Sequence, residues 1–228
     1  MRLSLRRSLT LPYCWPSFLA AAFRRAASLR LWTEVAAARF LLALVCACVT
    51  PVHAGPLEDA QAAYDRGKYA LAIELWQPLA EQGNPAAQAG LGGLYLGGYG
   101  VARDEVVAMA WFRKAAEQGH ANGQFSLASL YFSKKQYAPA ASWYRRAAEQ
   151  GQALAQIRLA RMYVEGQSLA RDDVEAFKWF ALAADRGSDS YARTNAAKGR
   201  DITAMKMTPA QVAEAERLVR DWKPKPER

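Results

Sequence analysis

Apolar positions in the middle of the chain follow the period of an α-helix. In two consecutive segments the apolar residues lie at i, i+4 and i+7, and then at i, i+3 and i+7. These residues are Ala87, Leu91 and Leu94 in the first segment, and Ala108, Trp111 and Ala115 in the second. Each set forms one stripe along a helix. Because a lone pair of such helices would leave both stripes exposed, the pattern predicts that neighbouring pairs stack on each other.

The same landmarks return at nearly constant distances. Each pair of segments ends in a glycine, and successive closing glycines are 36, 32 and 36 residues apart. They are Gly83, Gly119, Gly151 and Gly187. Glycine at this place suits the left-handed residue that follows many helices. Repeat lengths of this size are typical of helical arrays, so the chain is predicted to be an all-α solenoid of helix-turn-helix repeats.

The landmarks within each unit resemble those of a known family. First segments carry a leucine four residues before a tyrosine, as Leu91 and Tyr95 do, and second segments carry a tryptophan eight residues before the closing glycine. A glycine-rich stretch at 98–101 precedes Asp104 between the helices of the second unit. Over roughly residues 57–188 this pattern closely resembles the Sel-one-like repeat, a relative of the tetratricopeptide repeat. The resemblance implies a right-handed α/α solenoid that holds other proteins, in bacteria often in the cell envelope.

The predicted divisions of the chain follow these units. Units one and three are short, because tight turns at 67–69 and 135–137 replace the glycine-rich stretch. Thr208 and Pro209 are typical of the start of a helix, and this helix is predicted to cap the array. The divisions are 1–54 (presequence with signal peptide), 55–84 (short unit one), 85–120 (unit two), 121–152 (short unit three), 153–188 (unit four), 189–222 (degenerate helix and capping helix) and 223–228 (disordered tail).

The presequence carries the features of an export signal. Residues 40–49 form an apolar run that follows Arg30 and Arg39, and 52–54, Val-His-Ala, provide a small-x-small cleavage site. The run is too short to cross a bilayer, which needs about 20 apolar residues. We therefore expect an exported, periplasmic protein without a membrane span in its mature chain; lipid attachment near Cys46 is the less favoured alternative. The long stretch before the run indicates either a misassigned start or a genuine long presequence.

Charge and residue types exclude several classes of function. Residues 1–54 hold seven arginines and one acidic residue, so the rest of the chain has 23 basic and 20 acidic residues. This near balance does not favour nucleic-acid binding. After Ala54 the chain has one histidine, His120, and no cysteine. Because Cys/His catalysis and zinc sites built from cysteines or several histidines are excluded, we expect no enzyme, no cofactor and no metal site.

Three remaining motifs have structural explanations. The stretch 97–100, Gly-Gly-Tyr-Gly, lacks the Gly-Lys-Ser/Thr ending of a phosphate loop and follows a helix. Asp104 and Asp172 precede second helices, so they are predicted to be N-caps. His120, beside a closing glycine, is predicted to lie at a helix end or between units.

Candidate binding residues lie on first helices, where aligned positions differ between units. The recurring aromatic residues are predicted to be core, because repetition at fixed positions indicates packing. They are Tyr95, Tyr131, Tyr163, Trp111, Trp143 and Trp179. First helices line the concave face of tetratricopeptide-like solenoids, so polar rows there form a candidate groove for a partner peptide; solvated polar positions are the alternative. The rows are Gly90, Ser126 and Arg158, then Gly93, Ser129 and Arg161, beside the constant Gln88, Gln124 and Gln156, and their polar members are the candidate site residues.

These inferences predict a non-catalytic protein–protein interaction scaffold or adaptor for other envelope proteins or peptide segments. A module that binds peptidoglycan or other cell-wall material through the same groove is the alternative. The sequence indicates neither the partner nor the oligomeric state.

The export signal leads to a prediction about the mature protein. Cleavage after Ala54 is expected, because the small-x-small site follows the apolar run directly. Intact-mass analysis of the exported protein should therefore give a chain that begins at Gly55. A mature N-terminus far from Gly55, or a protein that keeps its presequence in the cytoplasm, would contradict the export signal.

Overall fold

The computed structural model describes residues 55–187 and 190–226, and within these ranges the chain forms ten α-helices and no strand. The predicted signal and the three cysteines lie outside the described residues. The helices are α1 (Pro56–Asp65), α2 (Tyr69–Glu81), α3 (Pro85–Gly97), α4 (Glu105–Glu117), α5 (Ala121–Ser133), α6 (Tyr137–Glu149), α7 (Ala153–Glu165), α8 (Asp173–Arg186), α9 (Ser190–Ala204) and α10 (Pro209–Asp221).

From α1 to α9, each helix packs against the helix that follows it in the chain. The first helices of neighbouring units also touch, since α3 contacts α5 and α7 contacts α9. The structure is therefore an all-α repeat solenoid, as the spacing of the landmarks predicts. The last helix departs from this order, because α10 packs back on α8.

Polar side chains at equivalent positions cap the N-termini of the helices. Asn84, His120 and Gln152 precede the first helices of units two, three and four, and each side chain accepts a hydrogen bond from the backbone N–H three residues later. Asp104 and Asp172 each accept two backbone N–H bonds at the start of α4 and α8. N-caps of this kind typically stabilise a helix by about 1 kcal/mol. The predicted capping roles of Asp104 and Asp172 are confirmed, and His120 is a cap at a helix end.

Three of the four closing glycines have the predicted left-handed conformation. Gly83, Gly119 and Gly151 have φ values of +94°, +92° and +95°. The prediction is wrong for Gly187, which has φ −61° and an extended backbone. A side chain at this position would still clash, because a Cβ there would lie 2.7 Å from the carbonyl oxygen of Ala183.

A large aromatic ring is buried in the core at one equivalent position of every unit. These rings belong to Trp76, Phe112, Tyr144 and Phe180, which occupy the same place in successive units and are at most 4% exposed. The predicted core residues Trp111 and Trp143 come one position earlier and are only half-buried, whereas Trp179 is buried. Successive helix positions differ by about 100°, so the centre of the buried stripe falls one residue later than predicted.

The repeat tyrosines are also only partly buried, which corrects their prediction as core residues. Tyr95, Tyr131 and Tyr163 keep part of their surface exposed. The hydroxyl oxygens of Tyr131 and Tyr163 accept hydrogen bonds from Arg113 and Arg145 of the preceding second helix, both at 2.9 Å. A hydroxyl that stays at the surface keeps such a partner, and this explains why these rings lie at the edge of the core.

Small residues make room for the buried rings. A Cβ at Gly92 would lie 2.7 Å from the ring of Phe112, and one at Gly90 would lie 2.8 Å from the ring of Trp76. Contacts under 3.0 Å require a shift of the ring or of the helix. The close approach of these helices therefore depends on the absence of side chains at the two glycines.

The glycine-rich stretch between α3 and α4 packs on unit one. The ring of Tyr99 stacks on Tyr69 with centroids 4.9 Å apart and an interplanar angle of 24°. Gly100 has φ +72°, and a Cβ there would lie 3.0 Å from the Cβ of Tyr69. The stretch therefore joins two units, in agreement with the sequence, which gives it no phosphate-binding ending.

The C-terminal helix caps the array as predicted. Thr208 and Gln211 form a capping box at the start of α10, and Ala215 of its apolar stripe is fully buried. Trp222, which follows α10, packs against Trp179 with centroids 6.5 Å apart. In the predicted disordered tail over 223–228, the structure describes residues 223–226, where the backbone N–H of Lys225 donates to the carbonyl oxygen of Glu149 at 2.8 Å. Helix ends leave such carbonyls free, and the tail supplies a donor to one of them.

The position of the buried ring generates a stability prediction. Tyr144→Ala should lower the free energy of unfolding by about 3–5 kcal/mol, because Tyr144 is 1% exposed and its removal leaves a cavity. Trp143→Ala should cost less, about 1–2 kcal/mol, because the indole is only half-buried. Chemical denaturation followed by far-UV circular dichroism measures both variants. Equal losses, or a larger loss for Trp143→Ala, would restore the tryptophan as the core residue.

Candidate functional site

The three candidate glutamines are buried between helices. Gln88, Gln124 and Gln156 are 3%, 4% and 1% exposed. Each Nε2 donates to the backbone carbonyl oxygen of the residue eight positions earlier, at 3.0, 3.3 and 3.1 Å. The structure therefore corrects their assignment to an open groove. A constant polar residue at a helix–helix contact stays buried because it satisfies a helix-end carbonyl.

Further hydrogen bonds join these glutamines to the ends of second helices. Gln118 donates from Nε2 to Oε1 of Gln88 at 2.8 Å, and Gln150 donates in the same way to Gln124 at 2.9 Å. At the equivalent place unit four has Arg186, and Oε1 of Gln156 is buried without a hydrogen-bond partner among the described residues. These hydrogen bonds between side-chain amides occur in units two and three, and unit four lacks the equivalent bond.

The candidate serines are half-buried, and Ser129 contacts the core. Its hydroxyl donates to the carbonyl oxygen of Phe125 at 2.9 Å and lies 3.1 Å from the hydroxyl of Tyr144. Burial raises the pKa of Tyr144 above its ordinary value, and the hydrogen bond between Tyr144 and Ser129 and the charge of Arg158 oppose that rise. Ser129 therefore packs against the buried ring of its own unit, while Ser126 is placed without a described polar contact.

The candidate arginines are the members of the set that lie at the surface. Arg158 and Arg161 are exposed on α7, and in the described part of the chain neither forms an ion pair. Leu154 is 45% exposed on the same helix. These three residues stand at i, i+4 and i+7, so they form one helical face, which we call the arginine face. It combines two charges free to pair with a ligand and one exposed apolar side chain.

Packing explains part of the variation between units that led to the candidate rows. Gly90 faces the indole of Trp76, where a Cβ would meet ring atoms at 2.8 Å. Arg158 occupies the same place relative to Tyr144, and its charge opposes the rise in the pKa of that hydroxyl. Ring size does not order the rest of the row, because Phe112 is smaller than Tyr144 but Ser126 is shorter than Arg158, so packing accounts for the glycine alone. Variation alone was therefore a weak sign of binding.

A cleft of about 400 Å³ opens at the ends of α4 and α6, where the sequence analysis expected nothing. We call it the tail cleft. The residues that line it are Ala116, Glu117, Gly119, Gln124, Arg146, Glu149, Gln150, Lys225 and Pro226. Lys225 pairs its Nζ with Oε2 of Glu149 at 2.8 Å. Residues so far apart in the chain gave no sequence signal, because only the fold of the C-terminal segment brings them together.

The arginine face and the tail cleft carry charged and polar side chains. Among the described residues, no group of three or more histidine, cysteine, aspartate or glutamate side chains could hold a metal ion. The described part of the chain also contains no helix that is long and apolar enough to cross a membrane. The arginine face and the tail cleft can contact a ligand through charges, hydrogen bonds and a modest apolar area.

Comparison with known proteins agrees with the geometry of the array. The Sel1 repeat family matches the chain at residues 61–84, 85–120, 121–152 and 153–188. The crystal structure of a Sel1 repeat protein from Oxalobacter formigenes is 31% identical, with a TM-score of 0.55, and the match covers 72% of this chain and 74% of that one. A protective antigen of uropathogenic Escherichia coli strains, which displays an SLR fold, is 30% identical over 67% of this chain and 40% of its own, with a TM-score of 0.41. No curated protein matches the chain.

The burial of the glutamines generates a prediction that separates packing from binding. Gln124→Ala should lower the free energy of unfolding by about 1–3 kcal/mol, because it removes two buried hydrogen bonds, one to the Ala116 carbonyl and one from the Gln150 amide. Asn122→Ala on the exposed side of the same helix is the matched control and should change stability by less than about 0.5 kcal/mol. Chemical denaturation measures both. A Gln124→Ala variant of unchanged stability would return this residue to the candidate binding surface.

Proposed function

The chain belongs to the Sel1 repeat family, and from this membership we propose that it is a non-catalytic scaffold that holds other proteins in the cell envelope. Sel1 repeat proteins generally mediate protein–protein interactions. Arg158 and Arg161 support a binding role because they are exposed and form no ion pair in the described part of the chain.

The arginine face is the observation that carries the proposal. Arg158 and Arg161 lie on one side of α7, three residues apart, with Leu154 beside them. Arginine is suited to this role, because its planar guanidinium binds a carboxylate through two parallel hydrogen bonds. The partner segment that fits is acidic or ends in a free carboxylate, with one apolar side chain for Leu154. Binding there costs the protein little rearrangement, because the arginines are held on a rigid helix.

The envelope location in this proposal rests on the presequence. The apolar run at 40–49 and the site at 52–54 favour export to the periplasm, and lipid anchoring through Cys46 is less favoured. The mature chain would then contain no cysteine, so its folding would need no disulfide chemistry. A scaffold in the periplasm would hold other envelope proteins or their extended segments.

The proposal predicts the effect of reversing the charge of the arginine face. In-cell crosslinking and purification of the mature protein identify the partner, and Arg158→Glu combined with Arg161→Glu should abolish its capture. Stability should change by less than about 0.5 kcal/mol, because both side chains are exposed. Arg66→Glu with Lys68→Glu makes the same charge change at exposed positions of unit one and should leave capture intact.

Two outcomes would contradict the proposal. Capture that survives the double reversal would remove the arginine face from the binding surface. Retained binding of the mature protein to protease-treated wall sacculi, without a specific co-purifying protein, would instead assign the chain to the recognition of cell-wall material.

A further inference from the structure

The C-terminal tail is held in the tail cleft as an extended segment. Trp222 packs beside Gly151, where a Cβ would lie 3.6 Å from the indole, and the chain then continues to Lys225. The backbone N–H of Lys225 donates to the carbonyl oxygen of Glu149 at 2.8 Å. Its Nζ pairs with Oε2 of the same residue at 2.8 Å. One residue of the tail therefore satisfies both the helix-end carbonyl and the carboxylate of Glu149.

The cleft continues past this contact to an equivalent place in the preceding unit. Glu117 is the last residue of α4, as Glu149 is the last residue of α6. Glu117 is exposed, and within the described residues it forms no ion pair. The negative end of a helix dipole and the free carbonyls of the last turn add to the attraction for cations and N–H donors. The end of α4 thus offers the same acceptors as the end of α6, namely a carboxylate and a helix-end carbonyl.

Two basic residues on the same helices as these carboxylates, one of which (Arg146) lines the cleft, contact aromatic rings. Lys114 lies over the ring of Trp111 at 4.2 Å, and Arg146 lies over the ring of Trp143 at 4.6 Å. Gln150 also lines the cleft, and its Oε1 is buried without a hydrogen-bond partner among the described residues. The tail cleft therefore presents an excess of acceptors to whatever enters it. Its volume of about 400 Å³ falls in the usual range of ligand sites.

We propose that the tail cleft binds an extended, lysine-bearing segment of a partner protein, and that the C-terminal tail occupies part of this site until the partner displaces it. The tail shows the mode of binding, with a main-chain N–H on a helix-end carbonyl and a lysine on the carboxylate. This proposal goes beyond the proposed function, because it uses the ends of second helices and the opposite charge. A tethered tail has an effective concentration in the millimolar range, so it competes with any free segment.

The test uses the full chain and a synthetic peptide, Trp-Lys-Pro-Lys-Pro with an amidated C-terminus, which copies residues 222–226. Lys225→Pro removes the N–H donor and the ammonium group together. This variant should bind the peptide about tenfold more tightly than the wild type, because the tail loses one hydrogen bond and one ion pair. Lys223→Ala removes a charge from the same tail at an exposed position and should bind as the wild type does. Peptide titrations followed by NMR chemical shifts measure all three.

The carboxylates are tested in the opened variant. Glu117→Gln and Glu149→Gln, combined with Lys225→Pro, should return the affinity for the peptide to the wild-type value or below it. The melting temperature of Lys225→Pro should fall by no more than about 4 °C, since the change lies beyond the last helix. The charge reversal at Arg158 and Arg161 should leave peptide binding unchanged, so the two proposals can fail independently.

Three results would overturn the inference. The first is a Lys225→Pro variant that binds the peptide no more tightly than Lys223→Ala. The second is a gain in affinity that survives both glutamine substitutions. The third is a dimer of the wild type, seen by analytical ultracentrifugation and lost in Lys225→Pro, because it would assign the cleft to the tail of a second copy.

Discussion

The burial of a large aromatic ring at one equivalent position of every unit is the interaction on which the array depends. Trp76, Phe112, Tyr144 and Phe180 lie at the same place in successive second helices, and each is almost completely buried. A ring of this size fits only where the facing helix carries a small residue, as Gly92 does against Phe112. Because interiors pack as densely as crystals, the size of each ring limits the side chains of the helices that touch it. The spacing of the units follows from these contacts.

Hydrogen bonds join neighbouring units in addition to the packing of the buried rings. Near the end of three second helices a backbone carbonyl accepts the N–H of the closing glycine, and the glutamines at 88, 124 and 156 donate a second hydrogen bond to it from the next unit. Burial of an amide without such partners would cost about 1–3 kcal/mol, so each bond also fixes how one unit lies on the next. The glutamines at 118 and 150, which donate to Gln88 and Gln124, have no counterpart in unit four, where Arg186 takes their place and stacks on Trp222. Because Trp222 follows α10, this contact joins the end of unit four to the capping helix.

The surfaces left over by this packing carry opposite charges. The arginine face lies on the first helix of unit four, whereas Glu117 and Glu149 lie at the ends of second helices in units two and three. Each surface is built on helices that the core holds rigid, and rigid groups bind with a small loss of entropy. The array therefore keeps the arginines and the carboxylates on separate surfaces.

The sequence by itself determined the fold class, the unit boundaries at 85, 121 and 153, the capping aspartates and the closing helix, because helix periodicity and cap chemistry are local. It also placed Arg158 and Arg161 on one helical face. The tertiary structure decided which of two adjacent aromatic positions is buried, since the core of each unit lies between helices and not within one. It likewise placed Gln88, Gln124 and Gln156 inside the array and brought Lys225 to Glu149, 76 residues away in the chain. Such contacts depend on the relative placement of distant helices, and no local pattern of residues specifies that placement.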